Sequence, residues 1–139
     1  MNNKSTVISS IVISFLLIFT ACTSANNINK LNGKWELISY GSGSNPAQAS
    51  SDSNKTLLFE NGKISGSAGC NSISGSYSVK EKQVTFEPIA STMMACPETI
   101  MQQESTVLSA FTGTADYVIE NNTLTITNGD FVIVLNSIQ

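Results

Sequence analysis

Turn signals recur between short alternating apolar runs along this chain, and that recurrence restricts it to a sheet of antiparallel hairpins. Asn61-Gly62 lies between Leu57-Leu58-Phe59 and Ile64, and both of its residues tolerate the positive φ that a two-residue hairpin turn requires. Tyr77 and Val79 answer Val84 and Phe86 across the charged tip Lys80–Lys82. Val118 and Ile119 answer Leu124 and Ile126 across Asn121-Asn122. Asn128-Gly129 then turns the chain into Phe131–Leu135, so the last third reads as a three-strand meander. Upstream, Trp35–Tyr40 alternates as a strand, and Leu31 opens the structured part. Gly41–Asn54, crowded with Ser, Gly and Asn around Pro46, reads as one long exposed loop.

One segment departs from the two-residue period. From Pro97 to Phe111 the apolar residues Ile100, Met101, Val107, Leu108 and Phe111 recur at helical spacing, which predicts a single long helix over 97–111. Pro97 suits a first turn, Glu98 complements the positive end of the helix dipole, and Gly113 follows as a stop. Glu104 falls inside the apolar stripe. Its carboxylate is expected to be tied to buried backbone or hydroxyl donors, the alternative being an opening beside the stripe where an acid is useful. The expected fold is therefore α+β and mainly antiparallel, a small barrel-like or strongly curved sheet of hairpins with one packed helix.

The N-terminus predicts location. Lys4 precedes an apolar run from Val7 to Phe19, and Phe19-Thr20-Ala21-Cys22 follows with small Ala21 before the cysteine, the layout of a secretory signal ending at a lipid-modified Cys22. A transmembrane anchor is the alternative, but the run is about five residues short of crossing a bilayer and Ser9, Ser10 and Ser14 interrupt it. The expected organisation is a signal over 1–21, a linker over 22–30 and one domain over 31–139. Removal of 21 of the 139 residues leaves 118, enough for one core and too few for two. The expected home is the bacterial envelope, with the lipid on Cys22 in the outer membrane of a diderm cell.

Charge excludes further classes. Lys4 is one of seven basic residues, so six remain against ten acidic ones after processing, a balance of −4. All are Lys, so no Arg fork is available for phosphate, and no basic patch for nucleic acid. With Cys22 assigned to the lipid, Cys70 and Cys96 form an even pair in an oxidising compartment, and a disulfide between them is expected. Two buried thiols are the alternative. A zinc site is not expected, since the chain has no His and two Cys do not complete a tetrahedral shell.

The run Ile64-Ser65-Gly66-Ser67-Ala68-Gly69-Cys70-Asn71, followed by Gly75 and Tyr77, then Ser91-Thr92-Met93-Met94-Ala95-Cys96, Met101, Glu104 and Leu108, closely resembles the META domain family. That family includes the HslJ-type heat-inducible envelope lipoproteins of bacteria. Leu31-Asn32-Gly33-Lys34-Trp35 and the closing strands match as well, so the likeness covers essentially the whole mature chain. It implies a compact, mainly antiparallel β domain with one helix, often behind a lipoprotein signal. It also implies links to heat stress, novobiocin resistance or, in protozoan relatives, virulence and secretion, and it attaches no general catalytic activity.

Read physically, the shared residues are structural first. Gly66 and Gly69 indicate a bulge or a close backbone approach, Asn71 bonds neighbouring backbone, and Met93 and Met94 are expected to fill gaps between helix and sheet. The functional alternative makes Asn71, Thr92, Met93, Met94, Met101 and Glu104 the rim of a ligand pocket there. No enzyme is expected: there is no His base, no nucleophile elbow and no phosphate loop, and nothing places two of Glu60, Glu87 and Glu104 together. No cofactor is expected, and the domain is expected to be a monomer that binds no nucleic acid. Two functions fit. One is a stress-response or envelope-maintenance binding module that contacts an envelope protein or a small apolar ligand. The other is an inhibitor of a secreted hydrolase that presents the Gly41–Asn54 loop.

Overall fold

The computed structural model describes residues 30–139; the expected signal segment, Cys22 and nearly all of the linker lie outside the described residues. In chain order the strands are β1 (Gly33–Ser42), β2 (Asn45–Gln48), β3 (Thr56–Glu60), β4 (Lys63–Ser67), β5 (Ser72–Lys80), β6 (Gln83–Phe86) and β7 (Ala90–Ser91). Helix α1 (Glu98–Ala110) comes next, and β8 (Gly113–Glu120), β9 (Thr123–Asn128) and β10 (Phe131–Ile138) complete the fold. Eight strands close into an antiparallel barrel in the order β1-β3-β4-β5-β6-β8-β9-β10, because β10 returns to pair with β1. The other two are short additions, β2 on β1 and β7 on β5.

Each hairpin turns where local chemistry allows it. Asn61 and Gly62 have φ of 50° and 79°, as the twist of a two-residue turn demands. Glu81, Asn121 and Gly129 also take positive φ, at 56°, 53° and 58°, at the tips of the β5–β6, β8–β9 and β9–β10 hairpins. Closure depends on β1, which pairs with β10 along its length, with β3 through Gly33–Glu36 and with β2 through Ser39–Ser42. The β1–β10 register shifts between Leu37 and Ser39. Such a bulge bends a strand, and the Ile38 carbonyl accepts the Ala49 N–H at 2.9 Å. The expected exposed loop at Gly41–Asn54 is thereby corrected. Its middle is an edge strand, and its end is docked on the helix, because a local Ser/Gly pattern carries no information about distant partners.

Side chains fill the barrel. Trp35, Leu37, Leu57, Phe59, Ile64, Tyr77, Val84, Leu124, Ile126, Ile133 and Leu135 are all buried inward-facing positions of the alternating strands. Phe111, just past α1, stacks on Phe86 with ring centroids 4.8 Å apart and meets Phe59 edge-on at 6.5 Å. Helix α1 also packs on β1, β9 and β10, and so lies across one mouth of the barrel. The opposite mouth is closed by the entering chain. Leu31 is fully buried there, its carbonyl accepts Trp35 Nε1 at 2.9 Å, and Asn32 Oδ1 accepts the Asn61 N–H at 3.0 Å and the Tyr77 hydroxyl at 3.3 Å.

Burial pushes the phenols of Tyr77 and Tyr117 above their ordinary value of 10.0; at Tyr77 a backbone hydrogen bond from Gly62 opposes the shift and the neighbouring Tyr117 adds to it. Above pH 10 the unfolded chain therefore releases protons before the folded one, and stability present below that pH is lost as pH climbs toward the raised values. The urea midpoint should fall over this range, and phenolate absorbance of the folded chain should lag that of the unfolded chain. A midpoint unchanged across this range would contradict the burial of the two rings.

Candidate functional site

At the helix-covered mouth, the β4–β5 connection Ala68-Gly69-Cys70-Asn71 lies directly against α1. A Cβ on Gly69 would stand 2.9 Å from the Ile100 carbonyl oxygen and 3.2 Å from the Glu104 Cβ, so only glycine lets the connection come this close. The contact brings two successive backbone N–H groups to one carboxylate. Glu104 Oε2 accepts Cys70 N–H at 3.0 Å and Asn71 N–H at 2.6 Å, while Oε1 accepts Asn71 Nδ2 at 2.7 Å. Glu104 is 4% exposed. Of the two alternatives for this residue, the tie to buried donors is what the structure contains, and a groove runs beside it.

Asn71, itself buried, extends the clamp on its other side. Its Oδ1 accepts the Thr92 hydroxyl at 3.0 Å and the Met94 N–H at 2.7 Å, and Thr92 Oγ1 in turn accepts the Ser72 N–H at 3.1 Å. The segment after β7 is thus fixed to the barrel by side-chain bonds, and the Cys70–Cys96 disulfide, with its Cα atoms 6.4 Å apart, secures its far end. The charge of Glu104, the amide of Asn71 and the bridge form one connected unit.

The adjoining helix residue, Gln103, completes this polar layer and was not legible as a site residue. It is fully buried; its Oε1 accepts Ser50 N–H at 2.8 Å, and its Nε2 donates to Ala68 O at 2.7 Å and Ser53 Oγ at 3.1 Å. Gln103 therefore pins the end of the β2 segment beneath the helix. Its position one turn before Val107 was the available signal, outweighed by a polar side chain. The buried helix face is Gln103, Glu104, Val107 and Ala110, so the expected apolar stripe is only partly the inward face. Among the described residues no buried side-chain nitrogen or oxygen lacks a hydrogen-bond partner, which is what makes a polar layer at this depth tolerable.

The methionines are a correction. Met93 is 98% exposed, Met94 53% and Met101 37%, so none fills the core between helix and sheet. Asn71 holds the Met94 backbone, and both methionine side chains of this loop face solvent. The six residues proposed as a pocket rim nevertheless come together. Asn71, Thr92, Met93, Met94, Met101 and Glu104, with Ser91 and Ala95, line one open groove of about 390 Å³. A second groove of about 430 Å³, bordered by Phe86, Pro88, Ile89, Leu108 and Phe111, lies near the C-terminal end of α1.

The carboxylates do not pair. Glu87 borders the second groove and Glu60 sits at the β3–β4 turn on the opposite mouth, away from Glu104. Among the described residues no group of three or more His, Cys, Asp or Glu side chains is placed to hold a metal ion.

The family model described as META domain matches residues 27–137. No curated protein matches the chain. Among solved structures, the NMR structure of a protein from Burkholderia xenovorans aligns with a TM-score of 0.68 and 17% identity, covering 100% of this chain and 98% of that one. A second NMR structure aligns with a TM-score of 0.65 and 21% identity, covering 79% of this chain and 93% of that chain. At these identities the likeness carries the fold alone.

Proposed function

The chain belongs to the META domain family, and from that premise we propose that it is a non-catalytic binding module of the bacterial envelope, tethered by a lipid on Cys22 and working through the methionine-lined groove. The observation that carries this reading is the clamp behind the groove. Asn71 and Glu104 are buried, charged or polar, and fully bonded, and what they hold in place is a loop whose two methionines face solvent. Exposed flexible thioethers on a fixed backbone form an adaptable contact surface. The direction of the tether supports the same reading. The chain enters at the mouth closed by Leu31, opposite the helix, so a lipid on Cys22 would leave the groove facing away from the membrane. A stress-related role is what the family adds.

Methionine chemistry offers a direct test. Apart from Met1, the chain's methionines are Met93, Met94 and Met101, all on this groove. Photo-methionine incorporated into the full chain in cells therefore reports on this surface. Illumination of heat-stressed and unstressed envelopes should give a discrete adduct on this chain that weakens in Cys22→Ser. Illumination that leaves the chain without a discrete adduct in both kinds of envelope would show that ligands do not meet the chain here.

A further inference from the structure

We propose that the methionine-lined groove is a binding site for a soft monovalent cation, copper(I), held by the thioethers of Met93, Met94 and Met101; this deepens the binding-module reading and rests on the same groove. The first argument is ligand type. Thioethers are soft donors that select copper(I) over zinc, calcium or magnesium, and the three thioethers of the chain beyond Met1 all border this groove. Cys70 and Cys96 do not compete, because they are bonded to each other, and in the lipidated chain the thiol of Cys22 is taken up by the lipid.

The second argument is placement. The carboxamide of Asn71 meets two of the methionines at once: its Nδ2 lies 4.0 Å from Met101 Sδ, and its Oδ1 accepts the Met94 N–H at 2.7 Å. Met94 on the loop and Met101 on α1 therefore flank one buried amide, and Met93 is the next residue on the same fixed loop. Three torsions per side chain, with Met93 almost wholly and Met94 about half exposed, let their sulfurs close on an ion beside Met101 while the backbone stays in place.

Charge is the third argument. Glu104 lines the groove and is buried, and among the described residues the ion pair present is Lys55 with Glu36, so no lysine pairs with Glu104. Its three hydrogen bonds come from neutral donors. A cation among the thioethers would sit at the mouth of a groove whose floor carries that carboxylate, which favours a charged guest over an apolar one. The carboxylate stays in its clamp and is not a ligand. Copper enters and leaves as copper(I), so the site requires no redox partner.

Silver(I), which shares the charge and softness of copper(I) and is not oxidised under assay conditions, is the probe. The full chain, labelled with ¹³C at the methionine methyls, is titrated with silver nitrate in chloride-free buffer. The three groove methyl resonances should shift together and saturate at one silver per chain. Met101→Leu and Met94→Leu should each weaken binding at least about tenfold with an unchanged near-ultraviolet spectrum, since neither side chain is buried. Absence of methyl shifts, or one-to-one binding that survives Met93→Leu/Met94→Leu/Met101→Leu, would overturn the proposal. Photo-methionine adducts obtained without silver binding would remove the metal and keep the contact surface; failure of both would remove the groove.

Discussion

Glu104→Ala should destabilise the domain by about 3–4 kcal/mol, because the substitution leaves three donors, Cys70 N–H, Asn71 N–H and Asn71 Nδ2, without their acceptor. In a domain of this size that is a fall in Tm of more than about 10 °C. The urea midpoint should drop while the slope stays constant, the mark of lost stability in an unchanged fold. Glu104→Gln is the informative companion. It keeps the volume and one acceptor oxygen but turns an NH₂ group toward a donor, so its loss should be real and smaller. A Glu104→Ala variant within about 0.5 kcal/mol of the parent would mean that water replaces the carboxylate without loss and that the clamp is not what fixes the loop.

Breaking the Cys70–Cys96 bridge should have an effect of similar size. The bond joins residues 26 apart, and by the chain-entropy relation opening such a loop costs about 3 kcal/mol. Cys70→Ser/Cys96→Ser is the cleaner comparison, since reduction leaves two thiols in place. The two effects should not add. Cys70 supplies both a sulfur to the bridge and an N–H to Glu104, so a chain whose β4–β5 connection has already loosened has less to lose when the carboxylate goes. Glu104→Ala combined with Cys70→Ser/Cys96→Ser should therefore be more stable than the sum of the separate losses predicts. Strict additivity would show that the bridge and the carboxylate act on separate parts of the fold. The same series, read by photo-methionine labelling, links stability to function: loosening the connection should blur the adduct before the domain unfolds.

Gln103 shows where local reading stops. The Asn61-Gly62 and Asn121-Asn122 turns, and the last turn one residue later than read, at Gly129-Asp130 because Asn128 pairs with Phe131, were legible because positive φ is a property of a few residues at fixed offsets, and the helix was legible because its spacing departs from the strand period around it. Glu104 was legible too, as an acid in an apolar stripe. Gln103, one residue earlier, belongs to the same buried layer, but its value depends on Ser50, Ser53 and Ala68, which lie 35 to 53 residues away. No window of sequence contains them. The methionines failed for a related reason: an apolar side chain next to a helix reads as core, and only the bond from Met94 to Asn71 turns the loop outward.

From the sequence alone came the antiparallel hairpins, the long helix after Pro97 and its place, the pairing of Cys70 with Cys96, and the family to which they belong, since each rests on turn chemistry, periodicity, parity or a motif within one stretch of chain. Only the tertiary structure decided that the sheet closes, that β2 leaves Gly41–Asn54 partly ordered, and that three methionines share a groove in front of a buried carboxylate. Closure needs β1 to meet β10 from the other end of the domain in a register set by the bulge at Ile38. Contacts between residues that far apart are settled by the packing of the whole barrel, and no local preference carries them.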